Sequence, residues 1–93
     1  MIPEERREVK MEKTVTVGLE HGLHANAASA FVHEAGQYKA DVYLKKGNST
    51  INAKSILGLM SIVVQKGDDV LLTAEGADEE AAIEGLSRFL EGK

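Results

Sequence analysis

The chain has 93 residues, no cysteine, no tryptophan and a net charge of −4, which suits one soluble domain with a single core. Without cysteine there is no disulfide framework, no thiolate zinc site and no thiol nucleophile. With net negative charge, no basic stripe and 4% aromatics, the chain lacks the means for phosphate neutralisation and base stacking, so nucleic-acid binding is not expected.

Residues 1–10 contain the only proline, Pro3, and balance Glu4, Glu5 and Glu8 against Arg6, Arg7 and Lys10, which leaves the whole net charge on residues 11–93. A segment so poor in apolar side chains cannot offset the entropy of ordering, and a flexible extension is expected there, with the compact domain over 11–93. The charged beginning is unlike a secretory signal, and no apolar run approaches about 18 residues, so a cytoplasmic chain without a membrane span is expected.

From Glu12 to Val17 the pattern alternates, Val15 and Val17 against Thr14 and Thr16, as in a half-buried strand. Gly18 and Gly22 bracket a loop that leads to His24. Five alanines among the eleven residues of Ala25–Ala35 favour a helix, with Ala28, Phe31, Val32 and Ala35 as its core stripe and Gly36 as its stop. Asp41 to Lys46 alternates again, and Gly47-Asn48 turns into a second strand, Ser49 to Ala53, giving a hairpin. Asn48-Ser49-Thr50 matches a glycosylation sequon and is read as turn chemistry.

The segment Ser55 to Val64 is unusual. On a helical wheel, Ile56, Leu57, Leu59, Met60, Ile62, Val63 and Val64 span about 220°, more than one sheet face covers in so small a domain. Either some of Ile56, Leu57 and Met60 lie exposed as a contact surface, or the run is partly a buried strand or is covered by a loop. Gly67-Asp68 opens a strand from Asp69 to Glu75 with Val70, Leu72 and Ala74 on one face. Asp78 is expected to cap a last helix, with Glu79 and Glu80 in its first turn, Arg88 and Lys93 near its end, and Ala82, Ile83, Leu86, Phe89 and Leu90 buried. The order strand, helix, strand, strand, short helix, strand, helix predicts an α+β open-faced sandwich: a four-stranded antiparallel sheet with helices on one face.

Chemistry concentrates at His24, in the turn before the first helix. The opening N–H groups of a helix lack backbone partners and favour anions, phosphate included. By position alone His24 is either an inert turn residue or a phosphoryl acceptor. His21, His24 and His33 also invite a metal reading, but no carboxylate-rich pocket completes a ligand set, so no metal is expected and His33 is read as a solvated surface side chain. Hydrolase elbows, phosphate-cradling glycine loops and paired carboxylates are absent from the sequence, so neither a stand-alone enzyme nor a cofactor is expected.

Gly22-Leu23-His24-Ala25, the segment Asn52-Ala53-Lys54-Ser55-Ile56-Leu57-Gly58-Leu59-Met60-Ser61 and the order of elements together resemble HPr, the histidine-containing phosphocarrier family of the bacterial phosphoenolpyruvate-dependent sugar phosphotransferase system. The likeness runs over essentially all of residues 11–93, with His24 and Ser55 at the family's separation of 31 positions. It implies that His24 accepts a phosphoryl group on Nδ1 from phosphorylated Enzyme I and donates it to IIA domains of sugar permeases. It also implies that Ile56, Leu57 and Met60 form an apolar docking patch, with Ala25 and Ser29 bordering the partner surface. Ser55 reads locally as a helix N-cap. The likeness adds a regulatory role, with phosphorylation by an ATP-dependent HPr kinase/phosphorylase weakening Enzyme I docking and recruiting a catabolite-control repressor. A monomer is expected.

The chain departs from the family at one point. The family motif continues His-Ala-Arg-Pro, whereas here Asn26 and Ala27 follow His24-Ala25. Asn26 donates a hydrogen bond without charge, and Ala27 does not pre-set φ as proline does at a helix start. The departure implies slower or more selective transfer. The alternative is a regulatory adaptor of HPr fold, acting through Ser55 and the Ile56/Leu57/Met60 patch, in which His24 does not cycle. A small apolar-ligand or metal-binding domain is a third and weaker reading.

Overall fold

The computed structural model describes residues 11–93; the extension expected over 1–10 lies outside the described residues. Among the described residues the elements are β1 (Met11–Thr16), α1 (Ala25–Ala35), β2 (Asp41–Lys46), β3 (Ser49–Asn52), α2 (Ile56–Met60), β4 (Asp69–Glu75) and α3 (Glu79–Glu91). The strands form one antiparallel sheet in the order β1-β4-β2-β3, with helices on one face, the expected open-faced sandwich.

Alternation sets the two faces of the sheet, because successive strand side chains point oppositely. Val15 pairs with Val70, Leu44 with Leu72 and Val42 with Ala74 in register, and all six are buried on the helix side. Phe31 of α1 and Leu86 and Leu90 of α3 close over them. Phe89, expected in the buried stripe, is only partly buried and meets Phe31 edge-on, with ring centroids 5.5 Å apart. Ser87 is buried instead, its hydroxyl donating to the Glu84 carbonyl at 3.0 Å and accepting from Lys13 Nζ at 3.4 Å. That pairing makes a polar group tolerable inside the helix stripe.

Val32, expected in the core stripe of α1, is likewise only partly buried, and two further expectations change. The helical wheel over Ser55–Val64 overshoots, because α2 stops at Met60. There the Ser61 hydroxyl and N–H both turn back to the Gly58 carbonyl, at 2.6 and 3.1 Å. The rest of the run follows as a loop in which Val64 is buried and Val63 exposed. Second, Asp78 occupies the N-cap position of α3 but makes no side-chain cap bond. Its carboxylate accepts the backbone N–H groups of Lys39 and Ala40, both at 2.9 Å, tying the α1–β2 connection to the turn before α3. Gly76 N–H is bonded by the Glu79 carboxylate at 3.0 Å.

The bond from Lys39 N–H, aided by that from Ala40, holds the Asp78 carboxyl below the ordinary carboxylate range. A carboxyl depressed in the folded state adds stability above its unfolded value and loses it as pH falls through the folded one. Asp78→Asn is therefore expected to melt below the wild type at pH 7, with the gap narrowing below about pH 4. Thermal melts across pH 2–7 check this; a gap that stays constant contradicts it.

Candidate functional site

The loop from Val17 to Leu23 is pinned at several points. Gly18 N–H donates to the Leu90 carbonyl at 2.8 Å, Gly22 N–H to Leu19 at 3.1 Å and Leu23 N–H to Val64 at 2.9 Å. Gly22 has φ +69°, and a Cβ there would lie 2.1 Å from the Val64 oxygen, so both conformation and space demand glycine. Leu23 is buried, and this anchor sets His24 at the N-cap of α1 with extended φ −112° and ψ −179°.

His24 is exposed. Its carbonyl accepts the Ala28 N–H at 3.0 Å, while its side chain makes no cap bond. The amides of Ala25, Asn26 and Ala27 precede Ala28, the first amide with an intrahelical acceptor, so they carry the partial positive charge of the helix start. Ala25, Asn26 and Ser29 are exposed around this opening. No acidic residue occupies the first turn of α1, so nothing there opposes an anion.

A cleft of about 360 Å³ joins this loop to the segment after α2, lined by His21, His24 and Ala25 on one side and Met60, Val63 and Gln65 on the other. The ring of His21 stands edge-on to that of His24, with centroids 5.9 Å apart. The far wall is held by Lys46, whose Nζ donates to the Val63 carbonyl and pairs with Asp68 at 2.9 Å. Asp68 in turn accepts the Gln65 N–H at 2.8 Å. The Lys46 ammonium, followed by the Gln65 amide, draws the Asp68 carboxyl below the ordinary carboxylate range.

Beside the cleft, α2 presents an apolar surface: Leu57 is 80% exposed, Met60 56%, Val63 67% and Ile56 39%. Leu59 is the residue of α2 that turns into the core. Ser55 caps α2, its Oγ accepting the Gly58 N–H at 3.1 Å. The preceding turn is fixed by Asn52 Oδ1, which accepts the Lys54 N–H at 2.8 Å, and by Lys54 Nζ on the Tyr38 carbonyl, also at 2.8 Å.

The cleft thus brings His24 and Ala25 against Met60 and Val63, with Asn26 and Ser29 exposed further along α1, which packs on α2, and with Ser55 capping α2. His33 does not join them; it is exposed on α1 beside Gln37, at 3.4 Å. Among the described residues no group of three or more His, Cys, Asp or Glu side chains is placed to hold a metal, and no helix is long and apolar enough to cross a membrane. Sequence reasoning missed Val63 as part of the exposed patch and His21 as the neighbour of His24. The three-residue spacing of the two histidines within one glycine-flanked loop is the signal in the sequence that their rings are neighbours.

A family model described as "PTS HPr component phosphorylation site" matches residues 11–92. The chain is 43% identical over 81 residues to the HPr-like protein Crh of Bacillus subtilis, covering 87% of this chain and 95% of that protein. It is 41% identical over 71 residues to the phosphocarrier protein HPr of Neisseria meningitidis, covering 76% and 80%. Among solved structures, HPr of Bacillus anthracis superposes with a TM-score of 0.85 at 41% identity, covering 87% of this chain and 96% of that one. Crystalline selenomethionyl Crh of B. subtilis, described as a swapped dimer, gives 0.73 at 44% identity, covering 85% and 91%.

Proposed function

The chain belongs to the PTS HPr family, and from that premise we propose that it is a phosphoryl carrier, accepting phosphate on His24 from phosphorylated Enzyme I and passing it to IIA domains. The observation that carries this reading is the exposed His24 ring at the N-cap of α1, not engaged in capping and set beside amides that lack helical acceptors. A lone pair of the neutral imidazole forms the new N–P bond as the donor's bond to phosphorus breaks, and the leaving group keeps that electron pair. The proton on the other ring nitrogen stays where it is. Imidazole serves in both directions because it is a fair nucleophile and a good leaving group, while the helix amides stabilise the phosphoryl oxygens. The α2 patch with Val63 gives partners an apolar landing surface. This reading keeps the protein a cytoplasmic monomer that acts as a carrier rather than a stand-alone enzyme.

The test is incubation with a cognate Enzyme I and phosphoenolpyruvate, with mass spectrometry locating the label. One acid-labile phosphate on His24 is expected; an unlabelled wild-type chain overturns the carrier reading.

Asn26 favours a second reading, a regulatory adaptor working through Ser55 and the α2 patch, and so does the 43% identity to Crh. Asn26→Arg separates the two. A charge-assisted bond exceeds a neutral one by roughly 1 kcal/mol, so if the natural chain is a slow carrier, labelling speeds up about fivefold. An adaptor whose His24 does not cycle gains no labelling.

Ser55→Asp probes regulation without unmaking the helix, since aspartate caps as well as serine. With its charge beside Ile56 and Met60, labelling by Enzyme I is expected to fall roughly tenfold while stability stays within about 0.5 kcal/mol. Unchanged labelling kinetics would remove Ser55 from the docking surface.

A further inference from the structure

We infer that His21 is a second functional imidazole of this site, supplying the positive charge that faces the phosphoryl group while it resides on His24. The inference rests on the carrier reading. A phosphoryl group brings a charge of roughly −1.5 to −2 and three acceptor oxygens, whereas a helix start offers only about half a positive charge. Among the described residues no Lys or Arg lines the cleft around His24, and the one other titratable side chain lining it is His21. Cations of the flanking loops are committed elsewhere: Lys46 to Asp68 at 2.9 Å and to the Val63 carbonyl, Lys66 to Glu20 at 3.6 Å. Asn26 brings no charge of its own.

Geometry suits the assignment. The ring separation of 5.9 Å leaves room for an oxygen of a group on His24 to accept an N–H of His21 at hydrogen-bond distance. His21 is exposed and makes no competing hydrogen bond among the described residues. Its backbone is held by the Gly22–Leu19 and Leu23–Val64 bonds at 3.1 and 2.9 Å, so the ring is delivered by a fixed turn. Imidazole is also the side chain whose charge changes near neutral pH, which makes the compensation pH-dependent. The titratable and charged groups nearest it are His24 at the N-cap of α1, Glu20 with Lys66 across the loop and the Lys46–Asp68 pair behind the far wall; on α3, which meets the loop at Gly18 through the Glu91 backbone, the Glu91 carboxylate is paired with Lys93 at 3.8 Å.

The experiment is nitrogen-15 NMR of the histidine rings from about pH 5 to 9, before and after phosphorylation by Enzyme I and phosphoenolpyruvate. The His21 ring is expected to keep its proton to higher pH in the phosphorylated protein, by about half a unit or more. Alongside, His21→Gln is expected to slow transfer about three- to tenfold near pH 6 and less near pH 8. His21→Lys should restore the rate and flatten its pH dependence over that range. A His21 titration unmoved by phosphate on His24 overturns the inference, as does a His21→Gln profile that matches the wild type, and both leave the carrier reading intact. Absence of phosphate on His24 in the wild type removes the carrier reading and this inference with it.

Discussion

His24→Ala is expected to abolish acid-labile labelling by Enzyme I and phosphoenolpyruvate while leaving the melting transition within about 0.5 kcal/mol of wild type. The two halves of this expectation have separate causes. The lost imidazole is the proposed nucleophile, and the helix amides that remain can hold an anion but cannot form a bond to it. Stability is spared because the ring is exposed and makes no cap bond, and the backbone bond from Ala28 N–H to the residue 24 carbonyl at 3.0 Å is unaffected by the side chain. Residual labelling at wild-type rate, with phosphate found on His21 or His33, would move the acceptor to another ring.

Gly22→Ala is expected to cost about 2–4 kcal/mol and to disable the site with the fold, measured by urea denaturation and by labelling of the folded fraction. Two penalties add. A side chain at φ +69° is strained, and its Cβ would fall 2.1 Å from the Val64 oxygen and 2.9 Å from Gln65 Cα. Since Val64 also accepts the Leu23 N–H at 2.9 Å, relief of the clash separates the two walls of the His24 cleft. Gly47→Ala is the control: its φ is +61° but nothing lies within 4 Å, so only the conformational penalty of about 1 kcal/mol applies. Equal losses at the two glycines would show that the contact with Val64 carries no energy.

Much of the architecture was legible because the signals that specify it are local. Ala25–Ala35, Asp41–Lys46 and Asp69–Glu75 take the bounds read from periodicity and breakers. β1 runs one residue earlier than expected and β3 ends one residue sooner, at Asn52. Ser55 caps as a serine before an apolar run should. Asp78 shows the limit of such reasoning. Its position predicted the start of α3, but its carboxylate went to Lys39 and Ala40, about forty residues earlier in the chain, because the turn after α1 offered it two adjacent amides without backbone acceptors. At the candidate site, His24 and the apolar residues of α2 could be named from the sequence. Val63 could not be assigned to the patch, because a wheel assumes a helix that the Ser61–Gly58 bonds end early.

What the sequence determined by itself was the set and order of elements and the place of a histidine at a helix start, since side-chain periodicity and turn chemistry act between neighbours in the chain. Only the tertiary structure decided that His21 and His24 face each other, that Met60 and Val63 form the opposite wall, and that Lys46 and Asp68 brace it. His21 and His24 share one loop, but the Met60–Val63 wall and its Lys46–Asp68 brace come from distant segments, and their meeting with that loop depends on how the helices and loops pack over the sheet, which no local pattern records.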